Sequence, residues 1–182
     1  MTVLVGYASK QGSTRGIAER IAVVLGKHGR PADVRELDRV ESAAAYDAFV
    51  LGSAIHNGAW LPEAAEFVRL NLDSLARRPV WLFSVGMLGD EGTAFAPLLA
   101  RLIRRTRKDP TGLARMVQAI HAEDNRAFVG VVQRGDWSRT AKLLFKAMGG
   151  RYGDHRDWVA IDSWAEGVAL GLQSASRLNS NP

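Results

Sequence analysis

The chain has 182 residues, 47% hydrophobic and 24% charged, ordinary usage for one globular domain that buries a core without staples. It has no cysteine, which excludes disulfides, thiolate metal sites and a cysteine nucleophile. A net charge of +5 suits an anionic membrane surface, an anionic substrate or nucleic acid, or reflects no more than scattered surface arginines.

The chain starts in an apolar run over residues 2–8 with no basic leader before it, so no signal peptide and a cytoplasmic location are expected. No apolar stretch approaches the ~20 residues that span a bilayer. The 2–8 run reads as a parallel strand buried on both faces. A hydroxyl- and glycine-containing loop follows, then a helix over 14–28 with Ile17, Ile21, Val24 and Leu25 on one face and Gly26 and Gly29 as stop signals. Residues 32–37 alternate apolar and polar, as an edge strand does. The run 47–54 is a third strand, 63–75 a helix, and 79–87 a fourth strand.

Residues 88–125 are too long for one crossover and read as an insertion holding two short helices, 94–106 and 111–120, split at Asp109-Pro110. The run 126–132 is a fifth strand. Residues 136–148 form a basic amphipathic helix, with Trp137, Ala141, Leu144, Phe145 and Met148 opposite Arg139, Lys142 and Lys146. Asp157 caps a last helix that carries Trp158, Ile161, Trp164, Ala165, Val168 and Leu172 on one face, and residues 174–182 read as a frayed tail. Strands alternating with helices predict right-handed crossovers and a doubly wound, five-stranded parallel α/β sheet of order 2-1-3-4-5, with residues 1–182 as one domain.

In such a sheet ligands bind beyond the carboxyl ends of the strands, where the order reverses. The first strand runs into Ser9-Lys10-Gln11-Gly12-Ser13-Thr14 and then a helix. Backbone N–H groups, three hydroxyls and a helix N-terminus converge there, a donor set suited to a phosphate monoester. The glycine spacing matches neither a Walker loop nor a Rossmann dinucleotide loop. His121, Glu123 and Asp124 match no metal motif and read as a solvated turn, so no metal is expected.

The loop Ser9-x-x-Gly12-x-Thr14 and the strand exit Leu51-Gly52-Ser53-Ala54-Ile55 resemble the flavodoxin superfamily. The exit continuing through His56-Asn57-Gly58, the block Lys146-Ala147-Met148-Gly149-Gly150 and the helix start Asp157-Trp158 resemble the menaquinone-dependent protoporphyrinogen IX dehydrogenases more narrowly. An insertion between the fourth and fifth strands is also similar to that family. The resemblance implies FMN, with Ser9, Lys10, Gln11, Gly12, Ser13 and Thr14 at its phosphate. It also implies Ser53, Ala54, Ile55, His56, Asn57 and Gly58, together with Ser84, Val85, Gly86 and Gly89, around its ring. The sequence departs from the family where Asn57 holds the place of a stacking aromatic and His56 that of an arginine.

Trp60, three residues on, is either the missing flavin wall or a buried staple at a helix start. His56 is either a proton relay at the ring edge or a solvated loop residue. The implied reaction carries electrons from a porphyrinogen to a quinone. The alternative is a flavodoxin-like electron carrier without a small-molecule substrate, to which a basic chain is less suited. The basic clusters at 101–108 and 139–146 are candidates for an anionic membrane surface or for porphyrin carboxylates, or they are helix faces backed by core packing. No nucleic-acid motif is present.

Overall fold

The computed structural model describes residues 1–106, 110, 112–135 and 138–178. The chain opens with β1 (Val3–Ala8), α1 (Ser13–Lys27), β2 (Ala32–Glu36), β3 (Ala48–His56), β4 (Ala59–Trp60), α2 (Pro62–Leu70) and α3 (Leu72–Ala76). It continues with β5 (Val80–Gly86), α4 (Pro97–Thr106), α5 (Leu113–Ala119), β6 (Asp124–Val129), β7 (Val131–Val132), α6 (Arg139–Ala147), β8 (Gly153–Asp154) and α7 (Trp158–Leu178).

The long strands are all parallel and lie in the order β2-β1-β3-β5-β6, the expected 2-1-3-4-5 arrangement, with half-exposed β2 at one edge. Because side chains alternate across a strand, each apolar run feeds two cores. Val3, Val5, Val50, Phe83 and Val85 pack under α1 and α7, while Leu4, Phe49, Leu51 and Leu82 pack under α2, α3 and α5. This two-sided burial is why the strands read as continuous apolar runs.

α1 is ended by Gly29, one of its two expected stops, while Gly26 stays inside the helix. Gly29 adopts φ 71°, the Arg30 N–H donates to the Leu25 carbonyl and the Gly29 N–H donates to that of Gly26, the paired bonds of a Schellman cap. α1 and α7 are also clamped by Arg20, whose guanidinium donates to Asp162 at 2.6 and 2.5 Å. That bond holds the Asp162 carboxyl below its ordinary range. A lowered native pKa means stability that is present above the unfolded carboxyl pKa and lost as pH falls through the folded one. Asp162→Asn should therefore cost about 1 kcal/mol at neutral pH and make unfolding less sensitive to acidification below about pH 4. Urea melts of both proteins across an acid series check this.

Four expectations need correction. The 63–75 helix is two helices, because Asn71 leaves the helical region at φ −115°, ψ 18° and its side-chain amide donates to the Phe67 carbonyl at 2.8 Å. The 94–106 helix starts only at Pro97. The fifth strand breaks at Gly130, and β7 pairs antiparallel with β8 instead of continuing the sheet. The tail is helical to Leu178: Leu172 anchors the last turns in the core, and the hydroxyls of Ser174 and Ser176 donate to carbonyls four residues back, so they are accommodated within the helix. Residues 179–182 lie outside the described set.

Candidate functional site

The order reverses between β1 and β3, and a cleft of about 730 Å³ opens there at the carboxyl ends of the strands. Its walls come from the loop after β1, the β3 exit, the β5 exit and the segment after β6.

The loop after β1 contributes Ser9, Lys10, Gln11, Ser13 and Thr14. Gly12 at φ 79° caps α1 without a side chain, and no side-chain bond closes the first turn, so its donors stay available on the cleft side. Ser9 Oγ and Thr14 Oγ1 are both buried with no hydrogen-bond partner among the described residues, and Thr14 is only 1% exposed. A buried hydroxyl with nothing to bond is costly, and two in one loop point to a group that enters from the cleft. Ser13 Oγ accepts from the Val131 N–H at 2.9 Å, which still leaves its own O–H to donate. Arg156 lies against Gly16 in the same turn. It is paired with Asp154 at 2.6 Å, which lowers that carboxyl's pKa, and its guanidinium sits 4.4 Å from the centre of the Trp158 ring.

The β3 exit is a hairpin. Asn57 and Gly58 both take positive φ, 50° and 76°, and His56 pairs with Ala59, so two residues reverse the chain in the manner of a type I′ turn. Ala54, Ile55, His56, Asn57 and Gly58 all line the cleft. His56 Nε2 lies 3.4 Å from Lys10 Nζ, so the hairpin and the loop after β1 meet at the mouth.

Not every expected residue reaches the cleft. Trp60 is 4% exposed, outside the cleft lining, and donates through Nε1 to Ser84 Oγ at 2.8 Å. It sits just before the Leu61 N-cap of α2, at the staple position. Of its two sequence readings the structure has the buried one. Ser53 and Ser84 are fully packed: Ser53 Oγ accepts from the Leu61 N–H and donates to the Ala54 carbonyl, and Ser84 Oγ accepts the indole. Gly89 lies against the β6 backbone, where a Cβ would sit 2.8 Å from the Ala127 carbonyl. Val85 and Gly86 do line the cleft.

Residues not anticipated are Met87 and the stretch Gly130, Val131, Val132 and Gln133. Gly130 follows the fifth strand, so the same rule about carboxyl ends would have found it had the break in that strand been recognised. Apart from the His56 imidazole, no aromatic ring lines the cleft among the described residues; its walls are Ile55, Met87, Val85, Val131 and Val132.

Among the described residues no group of three or more His, Asp or Glu could hold a metal ion. Asp124 is occupied as acceptor of the Trp164 Nε1–H at 2.7 Å. Of the basic clusters, Arg101 and Arg105 are exposed on α4 and Arg139 and Lys146 on α6. The Arg104 side chain, Arg107, Lys108 and Trp137 lie outside the described set.

A family model described as flavodoxin domain matches residues 4–123. Protoporphyrinogen IX dehydrogenase (quinone) of Escherichia coli K12 is 31% identical over 90 residues, 48% of this chain and 50% of that protein, and the counterpart from the O157:H7 strain matches equally. The matched segment thus spans about half the length of these curated relatives. Among solved structures, rubredoxin oxygen:oxidoreductase of Desulfovibrio gigas superposes with a TM-score of 0.60 at 14% identity, over 95% of this chain and 36% of that one. A flavodoxin from Pseudomonas aeruginosa superposes with a TM-score of 0.57 at 12% identity, over 95% and 99%. At these identities the solved structures speak to fold alone.

Proposed function

The chain belongs to the flavodoxin domain family, and on that premise we propose that it binds FMN in the cleft as an oxidoreductase, taking electrons from a porphyrinogen and passing them to a quinone. The observation that carries the cofactor is the pair of buried hydroxyls without a partner among the described residues, Ser9 Oγ and Thr14 Oγ1, at a helix start with no side-chain cap. Terminal phosphate oxygens would accept from both hydroxyls, from Ser13 and from the first N–H groups of α1, where the helix dipole favours an anion. Such a donor set would hold a chain-end phosphate, so FMN should bind well and FAD poorly.

When bound, FMN supplies the redox chemistry, accepting two electrons from a donor and yielding them to an acceptor. The protein's part is positioning. Backbone amides of Ala54–Gly58 and of Val85–Met87 would face the ring, and the Asn57-Gly58 peptide, already in the positive-φ region, would turn toward its edge. His56 at the mouth would hold or pass a proton. Against the Lys10 ammonium it accepts at Nε2, so a neutral imidazole keeps its hydrogen on Nδ1.

The aliphatic walls favour an enzyme over a carrier. With no aromatic wall among the described residues, a bound flavin would have a face left for a second flat molecule such as a porphyrinogen or a quinone. A quinone lives in the bilayer. Among the described residues no helix is long and apolar enough to cross a membrane, so this reading requires a cytoplasmic protein that visits the membrane surface.

The test is anaerobic. Protein reconstituted with FMN should lose its oxidised flavin absorbance on addition of protoporphyrinogen IX and regain it with a menaquinone analogue. Reduction by a partner flavoprotein but not by the porphyrinogen would make the chain an electron carrier instead.

A further inference from the structure

We infer that α6 is a docking helix that seats the mouth of the cleft on an anionic phospholipid surface. The inference rests on the proposed use of a quinone for its purpose, but on α6 alone for its physics.

After β6 the chain leaves the sheet at its carboxyl end, and α6 is carried in the excursion between β7 and β8. The excursion is anchored beside the cleft: Val132 both lines the cleft and packs in the same small core as Phe145, Phe95 and Val129. Phe145 is the buried residue of α6, with its ring 5.7 Å from Phe95 and 5.1 Å from Tyr152. The expectation that Leu144 joins this packing is not met. Leu143 is 72% exposed and Leu144 60%.

At 3.6 residues per turn, Leu143, Ala147, Thr140 and Leu144 fall on one exposed arc of about 100°. Arg139, Lys142 and Lys146 fill the adjoining arc, and α6 contains no acidic residue. Among the described residues none of these three bases has a carboxylate partner. Adjacent leucines bordered by a basic stripe make the pattern of a helix lying in the plane of a membrane interface, with apolar side chains in the acyl boundary and bases among the lipid phosphates.

Charge selects this occupant. A second copy meeting the same face would bring two uncompensated basic patches together, since a two-fold interface buries the same patch on both copies. An anionic leaflet complements both the stripe and the net charge of +5. Docked this way, the cleft mouth lies next to the bilayer from which a quinone must come.

The experiment is co-sedimentation of the full chain with phosphatidylcholine vesicles, with and without phosphatidylglycerol, across a salt series. Binding should require phosphatidylglycerol and fall as salt rises. Replacing Leu143 and Leu144 with Asp should abolish it. Replacing Arg139, Lys142 and Lys146 with Glu should weaken it at least about a hundredfold, from roughly fivefold per base lost. Both variants should keep the wild-type melting temperature and FMN affinity; Leu143→Ala with Leu144→Ala provides a milder check, weakening binding without adding charge.

Equal binding to both vesicles, no binding, or full binding by the Asp variant overturns the inference. So does a wild-type dimer that the Asp variant converts to monomer, which would make the leucines a contact between copies. Sedimentation follows the protein, so a failure of FMN to bind is seen separately and bears on the cleft, not on α6.

Discussion

Thr14→Val will weaken FMN binding by roughly 10- to 100-fold and at the same time stabilise the flavin-free protein by about 1–2 kcal/mol. Valine matches threonine in shape and β-branching, so the buried site between β1 and α1 stays filled. What changes is Oγ1, which is buried and has no hydrogen-bond partner among the described residues. The flavin-free chain bears the cost of that lone hydroxyl, and a bound phosphate monoester removes it through a bond to a charged acceptor. Opposite signs for stability and affinity distinguish a hydroxyl kept for a ligand from one kept for the fold. Ser9→Ala should act in the same direction and add further loss. Thermal melts without flavin and calorimetric titration with FMN measure the two halves. Unchanged FMN affinity in Thr14→Val would remove the main support for the phosphate site.

Trp60→Ala will destabilise the protein by about 3–5 kcal/mol while leaving FMN affinity, measured well below the melting transition, within a few fold of wild type. The indole fills the core between β3 and α2, and its Nε1 is the partner of Ser84 Oγ, so removal leaves a cavity and a buried hydroxyl without its bond. A tryptophan acting as a flavin wall would give the reverse: lost affinity and an altered flavin spectrum with little change in stability. Trp60→Phe separates the parts, keeping most of the volume and losing the hydrogen bond, for about 1–3 kcal/mol.

The β3 exit shows how a legible signal goes unread. Asn57-Gly58 between pairable residues is a strong hairpin signal, yet it stands where the resemblance expects an open flavin loop. The resulting hairpin returns Trp60 along β3, with Trp60 paired to Ile55 and its ring turned into the core. The two-residue turn therefore explains why a tryptophan so close in sequence to the cleft is absent from its wall. Gly130 is similar. In sequence it sits inside an apolar run, whereas in the fold it is the point where Ser13 crosses to Val131, and a Cβ there would meet Ser13 Oγ at 2.6 Å.

The order of elements, the doubly wound sheet, the cap of α1 and the hydroxyl loop after β1 are decided by the sequence itself. Each depends on residues near one another in the chain: alternating or continuous apolar runs, a glycine two residues past a helix end, a loop between one strand and the next helix. Which side chains line the cleft is decided by tertiary structure. Ser53 and Ser84 differ little from Ser9 in sequence, yet their hydroxyls are bonded to Leu61, Ala54 and Trp60 while that of Ser9 has no partner among the described residues. The same holds for α6, whose leucines look like core residues until the excursion between β7 and β8 offers only enough apolar surface to cover Phe145. Burial depends on what arrives from distant parts of the chain, and that information exists only once the strands have paired.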